Sequence, residues 1–322
     1  MQATRRIVLA LTTSLLCSGA WAQAWPNKAI RIVVPFPPGG GTDTIARETS
    51  QRVAAATGWT FVVENRPGAG GNLGVDMAAK APADGYTIVI GQTSNLAINP
   101  TLYAKMPYDP QKDLAPIVLL ANAPLVMVSG MSTPYKTLAD VVQDAKAKPG
   151  RINFASPGNG TVAHLASEMF QKSAGIKMQH VPYKGAAQAL TDVISGTVDL
   201  YMASVPTLLG QIKQGKLRAL AVTSPQRVDD LPNVPTVREA GFKGFEAVTW
   251  FGLLAPAGTP KEIITRLNAE FNKALQVPEL KKRLSDEGAD PVGGTPEQFA
   301  ALIKDEIPRW GRIIVESGAK VD

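Results

Sequence analysis

Apolar positions along the chain follow two alternating patterns. Short continuous runs at 30–34, 60–64, 87–91, 152–155, 179–182, 198–202 and 217–223 predict buried strands. Between them, segments with helical spacing at 42–57, 73–80, 137–147, 161–169, 185–195 and 207–214 predict amphipathic helices. Gly58, Gly196 and Gly215 close three of these helices. Strand–helix alternation of this kind predicts an α/β fold with mainly parallel sheets covered by helices on both faces. The stretch 92–99 is polar and predicts a strand-exit loop, and 103–113 predicts irregular structure.

Two apolar runs break the pattern. The run 117–128 contains Pro124 and is too long for one ordinary strand. The run 247–255 has a central glycine. Both are expected to cross between domains. They divide the chain into a discontinuous first domain, 23–124 plus 249–322, and a continuous second domain, 125–248, with a ligand cleft between them that closes by hinge motion. Helices are predicted at 261–275, 278–287 and 295–316, the last kinked or broken at Pro308.

Glycine-rich loops lie where strands should end. In the first, Pro35, Pro37 and Pro38 stop a strand, Gly39, Gly40 and Gly41 expose backbone N–H groups, and Thr42 or Asp43 caps a helix. Uncovered N–H donors at a helix N-terminus suit an anion, with a purely structural turn as the alternative. Ser156, Pro157, Gly158 and Gly160 repeat the theme, with Thr161 as helix cap. Phe36 and Trp250 are candidate apolar walls, with plain core as the alternative for both. Ser94 and Asn95 on the polar exit loop, like Ser156, are candidate hydrogen-bond donors. His164 either touches a ligand or is a structural histidine. Asp199 is a candidate acceptor beside the cleft. Valine in place of Gly40 or Gly160 is expected to abolish binding with little loss of apo folding.

The first 22 residues predict a secretion signal: Arg5 and Arg6, an apolar segment 7–16, and a small-residue cleavage site at Ala20-Trp21-Ala22. The apolar run is too short for a membrane anchor, so an exported, periplasmic protein is expected. Cys17, the single cysteine, leaves with this segment, removing disulfide, thiolate nucleophile and thiolate metal site from the mature chain. Loss of Arg5 and Arg6 reduces the formal charge from +6 to +4, with 31 basic and 27 acidic side chains left. No basic block with interleaved aromatics exists, which argues against nucleic acid.

Several motifs fail on inspection. The Gly68, Gly70, Gly74 spacing lacks the acidic residue a dinucleotide site needs. The run from Gly210 to Lys216 lacks the P-loop hydroxyl, since Leu217 stands there. The two histidines, His164 and His180, form no zinc motif. No cofactor, no metal and no catalytic residue are therefore expected.

Five segments carry a family resemblance: PNKAIRIVVPFPPGGGTD (26–43), VENRPGAGG (63–71), ADGYT (83–87), VPYKG (181–185) and LPNVPTVREAG (231–241). With these the chain resembles the Bug-type extracytoplasmic solute receptors of tripartite tricarboxylate transporters. The resemblance implies a bilobed periplasmic binding protein of type II-like architecture, two open α/β domains joined by two crossings. It implies a small carboxylate ligand, held by backbone groups and bridging waters at the stretches 36–42 and 157–161, without a charged partner. Di- and tricarboxylates, acidic amino acids and aromatic carboxylates all fit. A monomer serving membrane permease subunits is expected, with a sensor-kinase ectodomain as the alternative partner and an exported hydrolase as the remaining reading.

Overall fold

The computed structural model describes residues 25–286 and 288–319. The predicted leader at 1–22 lies outside them. Strand β1 (Ile30–Val34) leads through the first glycine loop into helix α1 (Gly41–Thr57), closed by left-handed Gly58. Then come β2 (Phe61–Asn65), α2 (Asn72–Ala79), β3 (Thr87–Gln92) and the short α3 (Asn99–Leu102). The long strand β4 (Leu114–Gly130) follows, then α4 (Leu138–Ala147), β5 (Asn153–Ser156), α5 (Val162–Ala174) and β6 (Gln179–Pro182). Next are α6 (Ala186–Ser195), β7 (Leu200–Ser204), α7 (Val205–Lys213) and β8 (Leu217–Val222). The return strand β9 (Val248–Pro256), α8 (Lys261–Leu275), α9 (Pro278–Asp286), β10 (Asp290–Pro291) and α10 (Pro296–Ser317) complete the order.

Strand β4 belongs to two sheet regions. From Leu114 to Pro124 it pairs antiparallel with β9, which continues through β3 to the parallel strands β1 and β2. From Leu125 to Gly130 it pairs with β7 and β8, and β7 continues to β5 and β6 in parallel. The change of partner falls at Pro124, which has no N–H to give a ladder. Each region keeps three parallel strands whose C-terminal ends carry the glycine loops, the edge where open α/β sheets bind ligands.

The two crossings are tied together by Thr223, which is fully buried. Its hydroxyl accepts the Leu125 N–H at 2.8 Å and donates to the Ala247 carbonyl at 2.6 Å. Its own N–H donates to the Leu125 carbonyl at 2.9 Å. One side chain thus spans both passages of the chain.

The sequence expectation fails at three places. Residues 92–99 are not a loop: Ser94–Ile98 forms a wide π-type turn that runs into α3, and every residue from 91 to 99 is buried. Helix α10 runs through Pro308 unbroken, so of the expected kink or break the break does not occur. Its second half is anchored by the buried Trp310, whose indole N–H donates to Glu306 at 2.8 Å, and the Trp250 indole donates to the same carboxylate at 3.2 Å. Helix α1 starts at Gly41 with Gly40 as its N-cap, so neither Thr42 nor Asp43 caps it.

Replacing Thr223 with valine keeps the volume and strands the buried Leu125 N–H. Urea unfolding should find the protein about 1–3 kcal/mol less stable, with the slope unchanged; an unchanged midpoint would mean the tie between the crossings contributes nothing.

Candidate functional site

Four helices begin at the C-terminal edge of the parallel strands, and all four N-termini face one cleft enclosing about 560 Å³ of atom-free space. Helix α1 brings Gly40, Gly41 and Thr42; α5 brings Thr161, Val162 and Ala163; α6 brings Gly185 and Ala186; α7 brings Ser204 and Thr207. The leading N–H groups of a helix have no intrahelical acceptor, and its dipole places partial positive charge there. Among the described residues no charged side chain lines the cleft. Phe36, Pro37 and Phe251 supply apolar walls, and Ser94 is among the lining residues, its hydroxyl buried and without a hydrogen-bond partner among the described residues. The cleft therefore offers concentrated hydrogen-bond donors to a desolvated anion.

The first loop is braced from behind by Asp43, the third residue of α1. Its carboxylate accepts from Gly39 N–H (3.1 Å), Arg47 Nε (3.0 Å) and Asn65 Nδ2 (2.9 Å), and Asn65 also donates to the Phe36 carbonyl. Burial pushes the Asp43 carboxyl up, but the Arg47, Asn65 and Gly39 hydrogen bonds outweigh it and hold it below the usual range.

The second loop is braced by a stack of rings. Phe154, His180 and His164 lie face to face, the two imidazoles 4.1 Å apart. The Gly160 N–H donates to His164 Nδ1, which puts the imidazole proton on Nε2, and Ser156 Oγ meets His180 Nε2 at 2.6 Å. Thr161 caps α5 by accepting the His164 N–H and donates to the Gly158 carbonyl. Burial pulls the His164 pKa down to about 4; burial, then the His164 ring beside it, pulls His180 to about 3. The Ser156–His180 contact resembles a nucleophile and base. The serine is fully buried, no described carboxylate bonds the His180 ring, and burial with the neighbouring His164 weakens that ring as a base.

Of the residues singled out from sequence, Phe36, Gly40, Gly41, Thr42, Ser94, Pro157 and Thr161 line the cleft. Gly158 lines an adjoining cavity farther out. Ser156, Gly160 and His164 stand behind the wall and shape the loop. Pro38 and Gly39 are on its exposed outer side. Asn95 is fully buried beneath the cleft, its side-chain oxygen accepting the Gln92 N–H. Asp199 does not reach the cleft: it precedes β7, at the opposite end from Ser204, and accepts the Asn153 N–H at 2.9 Å. Trp250 is no wall either, since it points into the core toward Glu306.

A model of the tripartite tricarboxylate transporter family receptor matches residues 45–319. The chain belongs to that family of receptors. Protein BugT of Bordetella pertussis is 38% identical to it over 312 residues, 97% of this chain and 96% of BugT. The solved structure of R. palustris Rpa4515 with adipate is similar at a TM-score of 0.90 and 36% identity, covering 92% of this chain and all of that one. MatC (Rpa3494) from Rhodopseudomonas palustris with bound malate gives 0.85 and 32%, covering 90% and 100%. The bilobed α/β architecture expected of a periplasmic binding protein is the one observed.

Sequence reasoning missed the receptor's Gln92, Ser204, Thr207, Thr249 and Phe251 in the cleft wall. For Ser204 a signal existed: serine ending a strand, with Pro206 two residues on, marks a helix start, and α7 begins at Val205 rather than at Thr207. For Phe251 and Thr249 none existed, because only the pairing of β9 with β4 brings them to the cleft.

Because both histidines titrate below their ordinary value of 6.5 when folded, the unfolded chain binds protons more readily. Stability should be fully present above about pH 6.5 and fall with pH through about 4 and 3. Thermal melting at stepped pH should display this loss, and His180→Gln should flatten it; an identical pH profile in that variant would rule out the ring stack as its source.

Proposed function

We propose that the chain is a periplasmic receptor that captures a small carboxylate between two lobes, 23–124 with 249–322 and 125–248, and presents it to the membrane subunits of a tripartite transporter. The observation that carries this reading is the convergence of four helix N-termini on a cleft without a charged side chain. Backbone donors compensate a carboxylate there without an arginine clamp, each charge-assisted bond contributing roughly 1.5–3 kcal/mol. The unpartnered Ser94 hydroxyl is one further donor. The adipate and malate in the two similar structures support a carboxylate. The partner switch on β4 supports lobes that move about Thr223. Among the described residues no helix is long and apolar enough to cross a membrane, and export rests on the leader read at 1–22. The reading is of a binder that returns its ligand unchanged; release of product from a bound carboxylate would overturn it.

The first test is thermal melting against a panel of carboxylates, because a ligand that binds only the folded state raises the melting temperature by mass action. At least one should raise it in a saturable way, and a flat response across the panel would count against the receptor reading. Ser94→Ala should weaken that ligand about tenfold, or roughly 1.4 kcal/mol.

The structure separates two glycine substitutions that the sequence treated alike. Gly40 has ordinary extended dihedrals, and a Cβ there would meet only Ala186, at 4.0 Å across the cleft. Gly40→Val should melt normally without ligand and lose the ligand-induced shift. Gly160 has φ +77°, and a Cβ there would stand 2.9 Å from Leu102 Cδ2. Gly160→Val should itself lose about 1–3 kcal/mol of stability. Equal apo melting temperatures for the two variants would contradict this.

A further inference from the structure

Helix α10 carries a proline that the cleft does not account for. Pro308 lies in the helix interior, and its side chain is exposed. A proline there has no N–H to give the Lys304 carbonyl, and its ring crowds that carbonyl, so it is among the costliest residues a helix can hold. An exposed side chain gains no packing in return. A local rule broken without a packing gain points to a strained or functional position.

The two halves of the helix hold different parts of the molecule. Ahead of Pro308, the Phe299 ring stands edge-on to Trp250 at 5.7 Å and leaves no room for a Cβ on Gly252, both on the return strand β9. Glu306, buried, accepts the Trp250 indole N–H at 3.2 Å. Trp250 in turn gives its backbone N–H to the Thr93 hydroxyl at 2.9 Å, and the residues flanking these two, Gln92, Ser94, Thr249 and Phe251, line the cleft. Behind Pro308, Arg309 donates to the Glu246 carbonyl at 3.2 Å, and Glu316 pairs with Lys172 of α5 at 3.3 Å, where the helix packs against α5. Lys172 and Glu246 both fall within 125–248. The helix therefore leans on one lobe ahead of the proline and on the other behind it.

Resting on the two-lobe receptor reading above, we infer that α10 is a strap joining the lobes by packing, a third connection besides the crossings at β4 and β9, and that Pro308 is the joint at which it bends when the lobes move. A continuous helix clamped at both ends holds one arrangement of what it clamps. A missing rung in its ladder lets the two halves tilt against each other. The clamp on the first side is Glu306, which passes the position of the strap to Trp250 and so to the strand segments that flank the cleft. The clamp on the second side is the pair of contacts at Glu246 and Lys172.

Pulsed electron paramagnetic resonance on the full chain, without added ligand, tests this. Cys17→Ser removes the single cysteine, and spin labels are placed at Gln51→Cys on α1 and Lys146→Cys on α4, both exposed and one on each lobe. With Pro308 in place the distance distribution should be broad or two-peaked. Pro308→Ala should narrow it about twofold and raise the melting temperature, because it restores the N–H and stiffens the helix. Pro308→Gly restores the N–H but leaves the backbone soft, and should keep most of the breadth. If Pro308→Ala leaves the distribution as it was, if the proline-bearing protein is already as narrow, or if glycine narrows it as far as alanine, the strap inference is overturned, and the receptor reading is left to the carboxylate panel. A Pro308→Ala variant that melts below the proline-bearing protein overturns it too, since the proline would then serve the packing of the fold.

Discussion

Four helices pointing their positive ends at one place repel one another, and most of the molecule can be understood as the scaffold that holds them there. Dipole ends of about half an elementary charge each cannot be gathered cheaply unless each helix is fixed by its own packing. Helix α1 is held through Asp43 and Asn65, α5 through Thr161 and the ring stack, and α7 is preceded by Ser204, whose hydroxyl meets Thr207 at 3.0 Å. None of these braces depends on a charge inside the cleft. On the proposed reading, the electrostatic cost of convergence is offset when an anion arrives, which makes the scaffold and the capture of ligand two sides of one constraint.

The architecture was largely legible in the sequence because its determinants are local. Glycine and proline mark strand ends whatever surrounds them, and the passages at Leu125 and Ala247 betrayed themselves by length and composition. The site was legible where backbone makes it and obscure where packing does. Gly40, Gly41 and Thr161 follow from the rules of strand–loop–helix geometry. Ser94 was named as a loop residue, yet it sits in a buried π-type turn that hydrophobic periodicity cannot distinguish from a polar loop. Asp199 was misplaced because sequence shows that a residue is near a strand but not which end of the strand the cleft occupies.

Thr223 ties the two crossings at the point where β4 changes sheet partner. The contacts around the adjoining cavity, Gly70 against Asn159 and Gly185 against Pro37, run from one lobe to the other. On the proposed reading, a solute seated between these contacts favours the assembled arrangement by its binding energy.

The backbone character of the inner cleft also bears on how such a protein diversifies. An N–H group is present in every amino acid but proline, so most substitutions around the four helix starts leave the anion-holding donors in place. Side chains at the periphery are then free to drift. On the proposed reading, a lineage of copies can try new cargo at the rim while the grip on the common anion is inherited intact, as a lock whose bolt is cast in the frame and whose key-ward alone is filed.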